Sequence, residues 1–187
     1  MRRLSIATLL LLLVAVTANA QNRQLYSYQS GNFGDPNIWT LTNGGVDFTT
    51  PHPDDNFTIN PGHTITLTAN SQIVQTAASR TVTINGTLNI QGFTTQTFGT
   101  LQGTGTLRIS AGAFPTVLTP LASNPFLQTG GGTVRYEGGT YTLPSGTTVY
   151  NNLTIAGTGA KSFAPTSATT FTINGNLTVE SNTLTIG

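Results

Sequence analysis

The residue types best suited to catalysis or metal binding lie close together in one short stretch, HPDDNFTINPGH, residues 52–63. This stretch holds both histidines of the chain, together with Asp54 and Asp55. Imidazole and carboxylate groups are ligands for zinc and other transition metals, and grouped aspartates can hold calcium together with backbone carbonyls. His52, Asp54, Asp55 and His63 are therefore the candidate metal ligands of this sequence.

The spacing of these four residues favours a structural interpretation over a metal site. It matches no zinc signature, and the calcium-binding repeat GGxGxDxUx is absent. The run Asp54-Asp55-Asn56 is typical of a turn whose side chains accept hydrogen bonds from nearby backbone amides before a strand. We therefore expect a corner of the scaffold here, with a metal site as the alternative, and we expect no cofactor.

Catalytic patterns are missing from the rest of the chain. The other acidic residues are spread out, at Asp35, Asp47, Glu137 and Glu180. Glycosidases need two carboxylates at a set distance across the sugar, and the sequence contains neither a cysteine nor a nucleophile elbow. Arg108 and Arg135 occupy outward positions and are expected to meet Glu137 in a surface ion pair. We predict a non-enzymatic protein with no catalytic residues.

The N-terminus has the features of a signal peptide over residues 1–20. Arg2 and Arg3 precede an apolar run, and Ala18-Asn19-Ala20 supplies the small residues before a cleavage site. The apolar run is too short to span a bilayer comfortably. We predict an exported mature chain that begins at Gln21, is secreted or held at the cell surface, and has no membrane contact after cleavage.

The composition indicates an all-β protein. Charged residues make up 7% of the chain, against about 25% in an ordinary globular domain, and the formal net charge is +1. Nothing here is basic enough to attract nucleic acid. Threonine, valine, isoleucine and phenylalanine favour strands, and short runs such as TVTI at 81–84 and NLTI at 152–155 alternate apolar and polar residues.

A short motif, in which an apolar residue, any residue, a second apolar residue and any residue precede glycine, recurs along the chain. Its copies are Val82-Ile84-Gly86, Leu88-Ile90-Gly92, Val134-Tyr136-Gly138, Leu153-Ile155-Gly157 and Phe171-Ile173-Gly175. A two-residue hairpin at Asn85-Gly86 would put the apolar residues before and after it on opposite faces, so this pair is expected to form a corner instead. Short strands joined by corners predict a right-handed parallel β-helix, with an antiparallel β-sandwich as the alternative.

Three regions depart from the repeat. Residues 21–53 lack the motif and are predicted to cap the solenoid, with Phe33, Ile38 and Trp39 as cap residues; a surface Trp39 that stacks on sugar is the alternative. Residues 111–132 are rich in proline and are predicted to form a loop that leaves the coils at 54–187. The last residues read as a half-coil without a cap, so we expect the chain either to be the N-terminal part of a longer protein or to be capped by a partner.

The stretches SGNFGDPNIWT and DDNFTINPGHTITLTAN are similar to the start of G8-like β-helix regions in large bacterial surface proteins. Phe33 stands where the first tryptophan of that pattern is usual, whereas Asp35-Pro36 and Trp39 fit it. NNLTIAGTGAKSF at 151–163 resembles coils of gliding-type bacteria with type IX secretion. The resemblance implies an adhesin or matrix protein.

Together these observations predict a non-catalytic structural or adhesion module. Its expected partners are surface polysaccharide or other surface proteins, which would contact the flat outer faces or the loop at 111–132. The alternative is the N-terminal part of a carbohydrate-processing or carbohydrate-binding β-helix protein whose catalytic coils lie beyond residue 187.

Overall fold

The computed structural model describes residues 22–111, 114–147, 149–163, 170–180 and 183–186. The predicted signal peptide lies outside these residues. Within them, no helix has the length and apolarity needed to cross a membrane.

The chain forms a β-solenoid of about five turns with almost no helix. The strands are β1 Gln24–Ser27, β2 Gly31–Asn32, β3 Trp39–Thr40, β4 Asn56–Ile59, β5 Thr64–Thr66, β6 Thr81–Ile84, β7 Thr87–Asn89, β8 Thr97–Phe98, β9 Thr100–Gln102, β10 Thr106–Ile109, β11 Thr116–Val117, β12 Thr133–Tyr136, β13 Tyr141–Thr142, β14 Val149–Tyr150, β15 Asn152–Ile155, β16 Lys161–Phe163, β17 Thr172–Ile173, β18 Leu177–Val179 and β19 Leu184–Ile186. Short 3₁₀ turns occur at Pro36–Ile38 and Leu121–Ser123.

Parallel pairing between successive coils builds the faces of the solenoid. The first sheet has the order β3-β1-β4-β6-β9, and the second has the order β18-β15-β12-β10-β7-β5-β2. A third face is formed by β8 with β11 and, further along the stack, by β13-β16-β19, whose strands follow those of the second sheet along the chain; β14 and β17 precede second-sheet strands, as β6 and β9 do, and pair with each other. Among the named strands of the described part, only β1 and β3 pair antiparallel. The predicted parallel β-helix is thereby confirmed, and the β-sandwich alternative is wrong.

Inward residues stack in columns through the second sheet. Ile65 aligns with Leu88, Leu88 with Leu107, Leu107 with Val134, and Val134 with Leu153. All of these side chains are completely buried. Because each coil is too thin to bury its apolar residues alone, stability comes from the contact of each coil with its neighbours.

The Asn85-Gly86 pair forms a corner, as its flanking pattern predicts. β6 ends at Ile84 and β7 begins at Thr87, yet the two strands belong to different sheets, and apolar residues on both sides of the corner are buried. A Cβ atom on Gly86 would lie 2.3 Å from the carbonyl oxygen of His63 and 2.4 Å from that of Asn60. Glycine is needed here because neighbouring coils approach each other at backbone distance.

The stack already begins in the stretch predicted as a cap. β1 pairs in parallel with β4, and β2 pairs in parallel with β5. Phe33, Ile38 and Trp39 are buried against this first coil, with the ring centroids of Phe33 and Phe57 5.0 Å apart and those of Trp39 and Phe57 5.2 Å apart.

The segment predicted as a proline-rich loop also contributes to the stack. Its strand β11 pairs in parallel with β8, and Phe126 and Leu127 lie fully buried in the core. The described part of 111–132 therefore combines a strand, a 3₁₀ turn and core residues.

Candidate functional site

Asp55 connects the beginning of β4 to the preceding coil. Its carboxylate is fully buried and accepts hydrogen bonds from the backbone N–H of His52 at 2.9 Å and from the backbone N–H of Arg23 at 3.1 Å. The Arg23 guanidinium donates to both carboxylate oxygens, with Nη2 2.6 Å from Oδ2 and Nε 3.3 Å from Oδ1. A buried charge is tolerated when paired and hydrogen-bonded in this way.

Asp54 points to the following coil instead. Its Oδ1 accepts the backbone N–H of Thr76 at 2.7 Å, and its Oδ2 lies 3.4 Å from Arg80 Nη2. Burial opposes ionisation of this carboxyl, but the hydrogen bonds from Thr76 and Arg80 outweigh burial and lower the pKa of Asp54. The two adjacent aspartates therefore connect their own coil to the coil before it and to the coil after it.

The two histidines lie at opposite ends of β4. Nδ1 of His52 accepts the backbone N–H of Asp54 at 3.3 Å, which is a contact within the turn. Nδ1 of His63 lies 2.8 Å from Ser27 Oγ, at the corner between β4 and β5. Each imidazole ring is thus held by a hydrogen bond at its own corner, and the two rings lie at different corners.

The four candidate metal ligands consequently form local turn contacts and contacts between coils. In the described part of the chain, no group of three or more His, Cys, Asp or Glu residues is arranged to hold a metal ion. The carboxylate oxygens of Asp54 and Asp55, which a metal would need, already accept hydrogen bonds from arginine and backbone donors. These contacts connect neighbouring coils.

Trp39 lies inside the core and presents no face to solvent. Its side chain is 0% exposed, and its Nε1–H donates to the carbonyl oxygen of Phe33 at 2.7 Å. A sugar ring would need an exposed indole face for stacking.

A ladder of alternating charges runs over the outer side of the second sheet. Glu137 accepts from Arg108 Nη2 at 2.8 Å and from Arg135 Nε at 3.0 Å, and Arg135 also donates to both carboxylate oxygens of Glu180. Burial opposes ionisation of Glu137, but the arginine hydrogen bonds outweigh it and lower the pKa of Glu137. The expected pair at Glu137 is present and extends to Glu180.

Lys161 is a buried cation that the sequence pattern did not reveal. Its Nζ donates to the carbonyl oxygens of Gly159 at 2.7 Å and of Gly138 and Ala156 at 3.2 Å, and lies 4.8 Å from the centroid of the Tyr141 ring. Burial lowers the pKa of Lys161. The available signal was its position two residues before buried Phe163, on the same inward side of β16.

A buried glutamine provides a second connection that sequence reasoning missed. Nε2 of Gln75 donates to the carbonyl oxygens of Asp55 at 2.7 Å and Thr81 at 3.0 Å, and its Oε1 accepts the backbone N–H of Gly99 at 2.8 Å. Gln75 therefore joins backbone groups from successive coils.

No protein-family model, curated protein or solved structure matches this chain at a significant level. The assignment of the fold therefore rests on the strand pairing of the chain itself.

Proposed function

We propose that this chain is a non-catalytic, exported β-solenoid module of a bacterial cell-surface or extracellular protein, where it serves in structural display or adhesion. The main observation that supports the proposal is that the charged side chains bind to other groups of the fold. All six acidic residues are engaged in contacts within the fold.

The most buried acidic side chains connect coils, whereas the exposed ones stabilise turns. Asp54, Asp55 and Glu137 pair with arginines of neighbouring coils. Asp35 accepts the backbone N–H of Asn37, and Asp47 accepts the hydroxyl of Thr42. A general acid or base needs a proton-exchanging oxygen directed at its substrate, so these carboxylates favour a scaffold over an enzyme.

The outer faces offer uncharged polar rows for a partner. Thr64 aligns with Thr87, Thr87 with Thr106, and Thr106 with Thr133 along one edge of the second sheet. Hydroxyl groups repeated at the spacing of parallel strands can donate and accept hydrogen bonds along an extended surface. Such a surface suits a surface polysaccharide or a second surface protein.

The sequence resemblance supports the same proposal. The N-terminal pattern from residue 30 to residue 70 is similar to G8-like β-helix regions of bacterial surface proteins, and the coil at 151–163 is similar to those of type IX-secreted proteins. Both resemblances point to a protein of the cell exterior.

Expression of the full chain with a C-terminal tag in a gliding bacterium tests export. We expect the tag in the medium or on intact cells, and N-terminal sequencing should find Gln21 first. Ala20→Lys, which places a large charge next to the cleavage site, should block processing. Ala69→Lys, at an exposed turn, is the control and should be processed normally.

Two outcomes would overturn the proposal. One is an unprocessed protein that stays inside the cell. The other is release of reducing or unsaturated ends from a panel of polysaccharides by the purified chain, which would establish an enzyme.

A further inference from the structure

A cavity of about 270 Å³ opens at the side of the solenoid, between the corner that follows β7 and the segment that precedes β11. Its lining includes Phe93, Thr94, Thr95, Gln96, Phe114 and Thr116. The third face changes at this point, because β11 pairs with β8 whereas the next coils form the separate sheet of β13, β16 and β19. The cavity therefore lies between the two coils that come before this change, whose strands β8 and β11 pair with each other.

The corner that forms one wall is held in a costly conformation. Gln91 and Thr95 have φ angles of 52° and 60°, in the left-handed region that β-branched threonine rarely adopts. Hydrogen bonds hold this corner in place: Thr95 Oγ1 donates to the carbonyl oxygen of Thr94 at 2.6 Å, and Ser71 Oγ lies 2.7 Å from Thr95 Oγ1. Local strain of this kind concentrates at binding sites, where it preorganises the wall.

The floor is equally well held. Gln96 is 1% exposed, and its Oε1 accepts the backbone N–H of Ile73 at 2.9 Å. Its Nε2 donates to the carbonyl oxygens of Ala69 and Thr94, each at 3.2 Å. The cavity thus has fixed walls, which lowers the entropic cost of binding.

The lining defines the chemistry of an occupant. It combines two half-buried aromatic rings, Phe93 and Phe114, with exposed hydroxyls at Thr94 and Thr116. None of the lining residues that the structure describes is charged, so they offer no counter-charge for a phosphate, a carboxylate or a cation. A ligand that fits both features has an apolar face for the rings and neutral hydroxyl groups at its edge.

We propose that this cavity binds one neutral sugar ring of a surface glycan, which stacks on Phe93 or Phe114 and is hydrogen-bonded by Thr94 and Thr116. The volume lies below the about 300–1,000 Å³ typical of drug-sized ligands, which suits a single ring or chain end. The inference rests on the adhesive role proposed above and names its ligand class.

Titration of the ¹⁵N-labelled full chain with methyl glycosides of glucose, galactose and N-acetylglucosamine tests the site. We expect at least one glycoside to shift the amide resonances of 93–96 and 114–116. Glucuronic acid and cyclohexanol should bind at least about tenfold more weakly than that glycoside, since one adds an uncompensated charge and the other lacks most of the hydroxyls.

Substitutions assign the binding to this cavity. Phe93→Ala should weaken binding about tenfold or more, whereas Phe48→Ala, which removes an exposed aromatic ring beside β3 and outside the cavity, should leave it unchanged. Thr116→Val keeps the shape and removes one exposed hydroxyl, so it remains informative if Phe93→Ala does not fold. Thr104→Val, in an exposed bend outside the cavity, is its matched control.

The proposal is overturned if none of the glycosides shifts these amides, if cyclohexanol binds as well as the glycosides, or if the folded Phe93 and Thr116 variants bind as the native chain does. Loss of binding in Phe48→Ala alone would place the sugar elsewhere and also overturn it. Export is measured separately: a surface-exposed chain without glycoside binding disproves only the cavity, whereas an intracellular chain that binds glycoside disproves only the proposed location.

Discussion

Asp55 places a carboxylate at 0% exposure, which is unfavourable unless the group is hydrogen-bonded and paired. Four hydrogen bonds to its two oxygens come from the backbone and side chain of Arg23 and the backbone of His52, and the Arg23 guanidinium also neutralises its charge. Because Arg23 belongs to the preceding coil, the carboxylate converts a local turn into a long-range contact. The value of this residue to the fold thus depends on its charge and not only on its shape.

Asp55→Asn is expected to lower the free energy of unfolding by about 2 kcal/mol, because it removes the charge of a buried carboxylate that pairs with a partly exposed arginine and replaces an acceptor oxygen by a donor. Asp35→Asn is the matched control and should change it by less than about 0.5 kcal/mol, since asparagine also caps a helical turn. Urea denaturation measures both.

Chelation tests the alternative for the same corner. EDTA should leave the melting temperature of the native chain unchanged, because arginine and backbone donors already occupy the carboxylate oxygens. A drop in melting temperature with EDTA that is absent in Asp55→Asn would show that a metal ion stabilises this corner.

Corners decide the geometry of the elements, and glycines there have two distinct roles. A Cβ on Gly105 would lie 2.0 Å from the carbonyl oxygen of Gly86 in the adjacent coil, although its φ angle is not in the left-handed region. Gly44 has a φ angle of +75° with open space around it. Gly139 has neither constraint. The cost of a side chain where coils approach closely can therefore be measured separately from the cost of a side chain in a left-handed backbone conformation.

Alanine substitutions at these three glycines should differ in a fixed order. Gly105→Ala should be the most destabilising, at the upper end of about 1–3 kcal/mol, because neighbouring backbones must move apart. Gly44→Ala should cost about 1 kcal/mol for its left-handed conformation, and Gly139→Ala should lie within about 0.5 kcal/mol of the native chain. Thermal denaturation of the three variants gives the comparison, and equal effects at 105 and 139 would contradict the close approach of coils.

The whole molecule is held together by contacts between neighbouring coils. The charge ladder connects β10 to Glu137 after β12, and Arg135 of β12 reaches Glu180 after β18. Hydrogen bonds with Glu180 and Glu137 raise the pKa of Arg135 above its ordinary value. The ladder therefore couples coils electrostatically over one face of the solenoid, and its Arg135–Glu180 pair spans the intervening strand β15.

The ladder predicts a loss of stability in acid. The unfolded chain protonates Glu137 near its ordinary pKa of about 4.3, whereas the folded chain does so only at lower pH. Stability contributed by this residue is thus complete above that pKa and disappears as the pH falls through the lowered folded value. Unfolding free energies measured from pH 6 to pH 2 should fall less steeply for Glu137→Gln than for the native chain; parallel curves would contradict the ladder.

Protection against hydrogen exchange should follow the stack. β10 lies between β7 and β12, whereas β18 has only β15 as a strand neighbour in the described part of the chain. Leu177 in β18 is 45% exposed, whereas its partner Leu153 is 0% exposed. Since each coil is stabilised by its neighbours, amides of β18 should exchange well before those of β10. Mass spectrometry of peptic fragments measures this, and uniform protection would indicate a single cooperative unit.

The sequence alone determined which residues face inward and where the chain turns. Alternation is a local property of a strand, so the burial of Val82 and Ile84 and the corner at Gly86 follow from the order of residues. The interpretation of Asp54-Asp55 as a turn has the same origin, because an aspartate before a strand bonds to nearby amides.

Only the tertiary structure decided which distant groups meet. Coils differ in length, so the partner of an outward or corner residue depends on the register in which whole coils stack. Asp55 therefore pairs with Arg23, and Asp54 with Arg80. Lys161 shows the limit most clearly: its inward direction follows from local alternation, and the carbonyl oxygens of Ala156 and Gly159 are near it in sequence, but that of Gly138 belongs to the preceding coil and reaches the ammonium only because the coils stack.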